Sequence, residues 1–300
     1  MEYELLLVNV VRDFGDYSEA FKDCIGQYLL ASYLRMHDFR AFVFSETSLN
    51  AKKIISREIE NKKVSIIGFY AAADNIRVVT HVVKWVKETY PHIKTIIGGP
   101  QAIALDYDFF KKTKNDFAIM GEGEIPLKLL LEYLVDNTGE LEKIPSIIYP
   151  NWKQEVLVIN HCDNAVITNL DLIPYPVMED SLLHNLRQGK MVGIITGRGC
   201  PNQCTFCYEG ANAKNVRLRS IENVMEEIDY IKANNPSVEY LNIYDDTFTL
   251  HPDRVKQFCK EIVKRNLKGT LPHSVNVPFF PLLSLPFVSA YSQSECRSPW

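Results

Sequence analysis

The stretch GRGCPNQCTFC, residues 197–207, contains three cysteines within eight residues. Thiolates are the usual ligands of iron–sulfur clusters, and four of them usually hold a four-iron cluster. Here Cys200, Cys204 and Cys207 stand together, and no further Cys or His follows until His251. A cluster held by three thiolates keeps one iron open for another ligand, as in open catalytic metal sites. We therefore expect a four-iron cluster with one free coordination position.

The cysteine run could also be a structural zinc site or an accidental grouping of thiols. Structural zinc sites favour paired two-residue spacings and four protein ligands. The C-x3-C-x2-C spacing of residues 200–207 has neither feature. The spacing therefore favours the iron–sulfur cluster.

The cysteine run resembles the C-x3-C-x-Φ-C motif of the radical S-adenosylmethionine (radical SAM) enzymes, with Phe206 in the aromatic position and Arg198-Gly199 before the first Cys. In that superfamily the open iron binds the amino and carboxylate groups of S-adenosylmethionine. Reduction then cleaves the sulfonium to a 5′-deoxyadenosyl radical, which abstracts hydrogen from an unactivated carbon. The resemblance implies that Cys200, Cys204 and Cys207 hold a 4Fe-4S cluster and that Phe206 packs near the adenine. The sequence assigns no residue a catalytic role.

The first half of the chain alternates apolar, strand-like segments with amphipathic, helix-like segments. Strands are predicted at Glu4–Val11, Arg40–Ser45, Val64–Tyr70, His92–Gly98 and Phe117–Met120, and helices near 25–36, 51–62, 75–90 and 126–135. This alternation over residues 1–140 predicts an α/β domain, a Rossmann-like, doubly wound parallel sheet with helices on both faces.

Two glycine-containing runs follow predicted strands of this sheet, where doubly wound folds bind ligands. Gly98-Gly99-Pro100-Gln101 follows the fourth strand, and Gly121-Glu122-Gly123-Glu124 follows the fifth. Their alternative role is as simple tight turns, with Glu122 and Glu124 as surface acids at a helix start. The first strand lacks a G-x-G-x-x-G sequence after it, which argues against a dinucleotide site.

The pair of glycine runs resembles the cobalamin-binding domain that precedes many radical SAM domains. The resemblance implies that cobalamin contacts Gly98, Gly99, Pro100, Gln101, Gly121, Glu122 and Gly123. The chain has no D-x-H-x-x-G sequence, so the resemblance also implies that no protein histidine lies below the cobalt.

Residues 141–190 are predicted to be a linker, because the segment Leu170-Asp171-Leu172-Ile173-Pro174-Tyr175-Pro176 resembles the interdomain connection of the same group. Residues 191–277 then repeat the strand–helix alternation, with strands at Met191–Thr196 and Tyr240–Tyr244 and helices at Ile221–Ala233 and Pro252–Arg265. This order predicts the first part of a (β/α) barrel, whose active site lies at the carboxyl ends of the strands.

Asp245 and Asp246 follow the second strand of this unit. The family resemblance implies that these acids contact the amino group or the ribose of S-adenosylmethionine. The alternative is that they are solvated loop acids that cap the next helix.

The end of the chain departs from the family pattern. Only the 93 residues 208–300 follow Cys207, whereas a radical SAM barrel continues through several further strands. Residues 278–300 carry only Glu295 and Arg297 as charges and show no helical period, so we expect an irregular tail and a barrel truncated at its C-terminus.

Composition restricts the class of protein. Hydrophobic residues make up 46% of the chain, and 33 basic against 37 acidic residues give a net charge of −4. This balance indicates no nucleic-acid partner. No apolar run is long enough to span a membrane, and the first residues lack a signal-peptide pattern. Seven cysteines, three of them in a metal-type group, indicate a reducing, cytoplasmic environment.

The sequence therefore predicts a cobalamin-dependent radical SAM enzyme that methylates or rearranges a small-molecule, lipid or peptide substrate, with a reducing donor such as flavodoxin or ferredoxin. Two alternatives stay open at this point. The chain could be an inactive cofactor-binding remnant, or a zinc-stabilised binding module.

Overall fold

The computed structural model describes residues 5–12, 24–62, 64–161, 165–176, 191–202, 204–205, 207, 215–238, 240–265 and 268–270. Phe206 and the expected irregular tail, residues 278–300, lie outside these described residues.

The first part of the chain forms a seven-stranded sheet. Its strands are β1 (Leu5–Val11), β2 (Ala41–Thr47), β3 (Ile66–Tyr70), β4 (Lys94–Gly98), β5 (Phe117–Ile119), β6 (Ile147–Asn151) and β7 (Val156–Ile159). Their spatial order is β2-β1-β3-β4-β5-β6-β7. The first five strands pair in parallel, whereas β6 and β7 pair antiparallel. The chain order reverses between β1 and β3, which makes this point the switch point of a doubly wound sheet.

Within the described ranges, five helices cover both faces of this sheet: α1 (Ile25–Met36), α2 (Ser48–Lys62), α3 (Ile76–Thr89), α4 (Tyr107–Thr113) and α5 (Glu124–Leu134). Alternate residues of β1 point to opposite faces. Leu6, Val8 and Val10 pack with α2, α3 and α4, and Leu5 and Leu7 pack with α1 and α5. The predicted doubly wound parallel sheet is confirmed.

The stretch 141–190, expected to be a linker, contains ordered sheet in its first part. Strands β6 and β7 form a hairpin that extends the parallel sheet at β5. Ile147 and Ile148 are buried, whereas Val156 and Ile159 on the edge strand are among the exposed apolar residues. Strand β7 has only four residues and its ends are exposed, so its apolar run is too short to give a clear strand signal.

Among its described residues, the second part of the chain has three parallel strands, β8 (Met191–Ile194), β11 (Tyr240–Ile243) and β12 (Lys268–Thr270), with β11 in the centre. Two further strands, β9 (Gly197–Arg198) and β10 (Arg217–Leu218), pair antiparallel after β8. Helices α6 (Ile221–Asn234) and α7 (Pro252–Lys264) connect the parallel strands and share their core. This strand–helix alternation is the order predicted for the start of a (β/α) barrel.

An apolar cluster joins the two parts of the chain. Leu29 of α1 packs with Leu170 and Ile173 of the connecting segment, and Ile195 after β8 packs against them. The carboxylate of Asp171 accepts a hydrogen bond from the backbone N–H of Ser220 at the start of α6, with an N–O distance of 2.9 Å. The connecting segment is thus fixed to both parts.

None of the helices in the described ranges combines the length and apolar character needed to cross a bilayer.

The carboxylate of Asp116 ties α3 and β4 to the start of β5, and its removal tests this part of the fold. Its Oδ2 atom accepts from Lys87 Nζ at 2.7 Å and from the Thr95 backbone N–H at 2.9 Å. We expect Asp116→Ala to lower the free energy of unfolding by about 2–3 kcal/mol, because the largely buried ammonium group of Lys87 loses its counter-charge and keeps only backbone carbonyl acceptors. Urea denaturation followed by circular dichroism measures the change.

Glu155→Ala is the control for Asp116→Ala, because Glu155 pairs with Lys111 at 3.8 Å and both side chains are more than half exposed. Its effect should stay within about 0.5 kcal/mol. Equal urea midpoints of unfolding for Asp116→Ala and Glu155→Ala would contradict the stabilising role of Asp116.

Candidate functional site

A cavity of about 570 Å³ lies between the two parts of the chain. One wall comes from the ends of β3, β4 and β5 and from the start of α1, and the other comes from the residues after β8 and β11. The carboxyl ends of parallel strands in both parts therefore face the same space, as expected for ligand sites in such sheets. The lining includes Gly26, Gln27, Tyr70, Gly98, Gly99, Pro100, Gly121, Glu122, Gly123, Arg198, Gly199, Arg217, Tyr244 and Asp246.

The two predicted glycine runs both reach the cavity, with one exception. Gln101 does not line it, and its backbone N–H donates to the carbonyl oxygen of Ala71 at 3.0 Å. Gly99 has a φ of +94°, and a Cβ atom there would lie 2.7 Å from the same carbonyl oxygen. Only glycine fits this position without strain, so Gly99 lets the turn after β4 pass close to the end of β3.

The cysteine loop begins at the edge of the cavity. Cys200 and Cys207 are half-buried, Cys204 is exposed, and the backbone N–H of Cys207 donates to the carbonyl oxygen of Cys204 at 3.0 Å. Within the described residues, no three Cys, His, Asp or Glu side chains are grouped closely enough to hold a metal ion. The structure thus places the three thiols on one loop without gathering them around a common point.

The start of the cysteine loop is anchored to the loop after β11. The backbone N–H of Gly199 donates to Asp246 Oδ2 at 2.9 Å, and Thr247 Oγ1 donates to the Gly199 carbonyl oxygen at 3.2 Å. Gly199 has a φ of +93°, and a Cβ atom there would lie 2.5 Å from the carbonyl oxygen of Asn215. The residue directly before Cys200 is therefore held on both sides.

The adjacent acids Asp245 and Asp246 have different surroundings. Asp245 accepts from the Thr196 backbone N–H at 2.6 Å and from Thr196 Oγ1 at 2.5 Å, which joins the ends of β8 and β11. Burial raises the pKa of Asp245, and hydrogen bonds from Thr196 and Gly197 act in the opposite direction. Asp246 is exposed and lines the cavity. Of the two acids, Asp246 is the one placed to meet a ligand.

Four charged side chains form a cluster across the two parts of the chain, which we call the Arg–Glu bridge: Glu122, Glu124, Arg198 and Arg217. Arg198 donates to Glu122 at 3.0 Å and to Glu124 at 2.6 Å, and Arg217 donates to Glu122. Burial acts to lower the pKa of Arg198, but the two carboxylates outweigh it and hold the pKa above its ordinary value. Glu122, predicted to contact a cofactor, therefore uses its carboxylate to hold two arginines.

Gln27 is a cavity residue that the sequence motifs do not include. The side chain is 6% exposed, and its Oε1 atom is buried without a hydrogen-bond partner in the described part of the chain. A buried carbonyl oxygen without a partner is unfavourable. A ligand that offers an N–H group would remove this cost.

The sequence signals for Arg198, Arg217 and Gln27 differ in strength. Arg198 belongs to the cysteine motif, but the motif says nothing of its partners in residues 121–124. Arg217 has the pattern of a solvated arginine, because nothing in the sequence places it beside Glu122. Gln27 carries a weak signal, as a polar residue within the apolar start of α1.

The chemical types of the residues present suit an iron–sulfur cluster and a ligand that offers N–H groups, although the three thiols are not gathered around one point. Three thiols within eight residues, one exposed and two half-buried, supply the soft donors that a cluster needs. Gly98 lines the cavity with open space around it, which leaves room for a ligand. The Oε1 atom of Gln27, which has no hydrogen-bond partner among the described residues, offers that ligand an acceptor.

Two known families match separate parts of the sequence. Residues 23–131 match the B12 binding domain, and residues 194–280 match the Radical SAM superfamily. The first match covers the glycine runs, and the second covers the cysteine loop and Asp245-Asp246. The Radical SAM match disfavours the zinc-stabilised binding module.

Two curated relatives align with most of the chain. One is an uncharacterized methyltransferase of Pyrococcus horikoshii, 26% identical over 217 residues, which covers 71% of this chain and 46% of the relative. The other is the anaerobic magnesium-protoporphyrin IX monomethyl ester cyclase of Rubrivivax gelatinosus, 26% identical over 249 residues, which covers 79% of this chain and 44% of the relative. The chain thus spans less than half the length of these relatives.

The fold also matches a solved structure, the radical S-adenosylmethionine methyltransferase TsrM of Kitasatospora setae with cobalamin and a [4Fe-4S] cluster bound. The TM-score is 0.70 at 16% identity, and the match covers 88% of this chain and 51% of TsrM. The likeness shows a shared fold. A B12 binding domain over residues 23–131 is therefore followed, in the same chain, by a Radical SAM domain over residues 194–280.

Proposed function

We propose that this chain is part of a cobalamin-dependent radical SAM enzyme that methylates or rearranges its substrate. The observation that carries the proposal is the shared cavity, because the loops of the B12-binding domain and the anchored start of the cysteine loop line the same space. Two cofactors bound on opposite walls would face each other there.

In the second domain, Cys200, Cys204 and Cys207 would hold a 4Fe-4S cluster, and Phe206 would pack near the adenine of S-adenosylmethionine. The bound cluster would supply the electron that cleaves S-adenosylmethionine to a 5′-deoxyadenosyl radical. Asp246 would accept a charge-assisted hydrogen bond from the ligand's amino group, because it is exposed to the cavity. Asp245 would orient the end of β8 through Thr196 instead of touching the ligand.

In the first domain, Gly98, Gly99, Pro100, Gly121 and Gly123 would form the backbone wall against cobalamin. Gln27 would accept a hydrogen bond from one of the primary amides that surround the corrin ring. Gln101 would act through its backbone, since its N–H fixes the turn after β4.

The relatives include a methyltransferase and a cyclase, which supports either methylation or ring formation as the reaction class. A small-molecule, lipid or peptide substrate, an electron donor such as flavodoxin or ferredoxin, and a cytoplasmic location are parts of this proposal. So is the division into a B12-binding domain (1–140), a linker (141–190) whose first part adds the β6–β7 hairpin to the sheet of that domain, a partial radical SAM barrel (191–277) and a tail (278–300).

The cysteine assignment is tested by anaerobic reconstitution. We expect about four irons per chain in the wild type and none in Cys204→Ala, because one cubane needs all three thiolates of the loop. Iron analysis and the visible absorption of the cluster measure this, and 5′-deoxyadenosine formed under reduction tests cleavage of S-adenosylmethionine.

Cys259→Ala is the matched control for Cys204→Ala, because Cys259 is a half-buried thiol on α7, away from the loop. It should retain the full iron content. Retention of the cluster in Cys204→Ala would contradict the assignment of Cys204 as a ligand. Zinc in the purified protein in place of iron would support the zinc-stabilised binding module.

The glycine turn after β4 allows loss of ligand binding to be separated from loss of folding. Gly98 has open space around an added Cβ atom and lines the cavity, whereas a Cβ atom at Gly99 meets backbone. We expect Gly98→Val to keep the thermal midpoint of the wild type and to weaken hydroxocobalamin binding by about tenfold or more, roughly 1.4 kcal/mol. Gly99→Ala should instead lower the thermal midpoint. Full hydroxocobalamin affinity in a folded Gly98→Val variant would rule out binding on this wall.

The Oε1 atom of Gln27, which lacks a hydrogen-bond partner among the described residues, predicts effects of opposite sign on the stability of the free protein and on ligand binding. Gln27→Leu should stabilise the free protein by about 1 kcal/mol, because it removes this buried acceptor. The same change should weaken hydroxocobalamin binding by about fivefold, because the ligand loses one hydrogen bond. Thermal unfolding and absorbance titration measure the two effects.

Gln101→Leu is the control, because it makes the same substitution outside the cavity lining. It should neither stabilise the free protein nor weaken hydroxocobalamin binding. An unchanged hydroxocobalamin affinity in Gln27→Leu would show that Gln27 does not contact the ligand.

A further inference from the structure

We propose that the Arg–Glu bridge is a positioning device, which sets the separation and orientation of the cluster relative to the corrin ring. The proposal rests on the proposed function, since it concerns the same two cofactors. In this proposal, the bridge residues set the position of one cofactor relative to the other and bind neither of them.

Arg198 makes the direct connection between the two cofactor loops. It precedes Cys200 by two residues, and its guanidinium reaches Glu122 Oε2 at 3.0 Å through Nη1 and Glu124 Oε1 at 2.6 Å through Nη2. Both acids belong to the run after β5 that lines the opposite wall of the cavity. A planar guanidinium that grips two carboxylates at once fixes direction as well as distance.

Arg217 makes the connection two-sided. It pairs with Arg198 across the β9–β10 ladder, so the two side chains leave the ladder on the same face. Arg217 donates to both oxygens of Glu122 and to the carbonyl oxygen of Ile167 in the connecting segment, the latter at 2.6 Å. One carboxylate therefore holds both arginines and so fixes the whole β9–β10 pair.

The charges of the bridge balance only when the two domains are docked in this register. Two positive side chains lie next to each other on β9 and β10, and their side chains are 16% and 14% exposed. Glu122 and Glu124 neutralise them, with side chains 22% and 6% exposed. Two neighbouring, largely buried positive charges are unfavourable without counter-charges. If the second domain were displaced, Arg198 and Arg217 would lose the carboxylates that neutralise them.

The bridge and the apolar cluster between the domains have different properties. The contact of Leu29, Leu170 and Ile173 supplies apolar burial, which is non-directional and tolerates sliding. Buried ion pairs add little net stability but are sensitive to geometry. The bridge lies on the cavity wall, between the loops that would hold the two cofactors. A change in its ion-pair geometry would therefore change the distance between the cofactors.

The distance between the two cofactors can be measured directly. Wild-type protein loaded anaerobically with both groups is reduced so that cob(II)alamin and the cluster are both paramagnetic, and their dipolar coupling is measured by pulsed electron paramagnetic resonance. We expect one narrow distance distribution in the wild type. Glu122→Gln should broaden and shift this distribution, while iron content and hydroxocobalamin affinity stay at the wild-type level.

Glu132→Gln is the matched control, because Glu132 is a similarly shielded acid of the first domain, and its partner Lys128 lies on the same helix. It should leave the distance distribution unchanged. Glu122→Asp keeps the charge with a shorter side chain and should restore part of the narrow distribution.

An unchanged distribution in Glu122→Gln, or loss of either cofactor in that variant alone, would overturn the positioning role. Wild-type protein that binds neither cofactor would instead overturn the proposed function, and the positioning role with it.

Discussion

The fold depends on the parallel pairing of β1, β3, β4 and β5, because parallel strands bring all their carboxyl ends to one edge of a sheet. That edge carries the turns at Gly98-Gly99 and Gly121–Gly123. The second domain obeys the same constraint through β8 and β11, whose ends carry Thr196 and Asp245. The two edges face each other across one cavity. The arrangement of the site thus follows from strand direction, and the individual loops only refine it.

Much of this architecture can be predicted from the sequence because the signals are local. The strands are clear apolar runs, and the buried face of α3 repeats at helical spacing through Val79, Val82, Val83 and Val86. The spacing of Cys200, Cys204 and Cys207 lies within eight consecutive residues. The hairpin of β6 and β7 escapes prediction because an edge strand is half exposed and lacks the buried pattern of the central strands. The short helix α4 escapes it because seven residues give too few turns for a periodic signal.

The roles of the charged residues are harder to predict, because the sequence does not show which opposite charges the fold brings together. The sequence motifs place Glu122 at a cofactor and indicate no partner for Arg217. The structure pairs them across 95 positions of the chain. Asp245 and Asp246 are adjacent in sequence, yet one faces the end of β8 and the other faces the cavity, because successive residues beyond a strand point in different directions.

The residues around the cavity divide into those that shape the protein and those that are free for a ligand. Gly99 and Gly199 are closely surrounded by backbone, and Asp245 and the Arg–Glu bridge are hydrogen-bonded to other parts of the chain. Gln27 has a buried oxygen without a hydrogen-bond partner among the described residues. Asp246 does both, since its Oδ2 atom holds the Gly199 N–H while the side chain is exposed at the cavity. A site that must hold two large cofactors at a fixed separation needs both kinds of residue. Rigid contacts set the distance between its walls, and a few polar groups at the cavity remain accessible to the molecules between them.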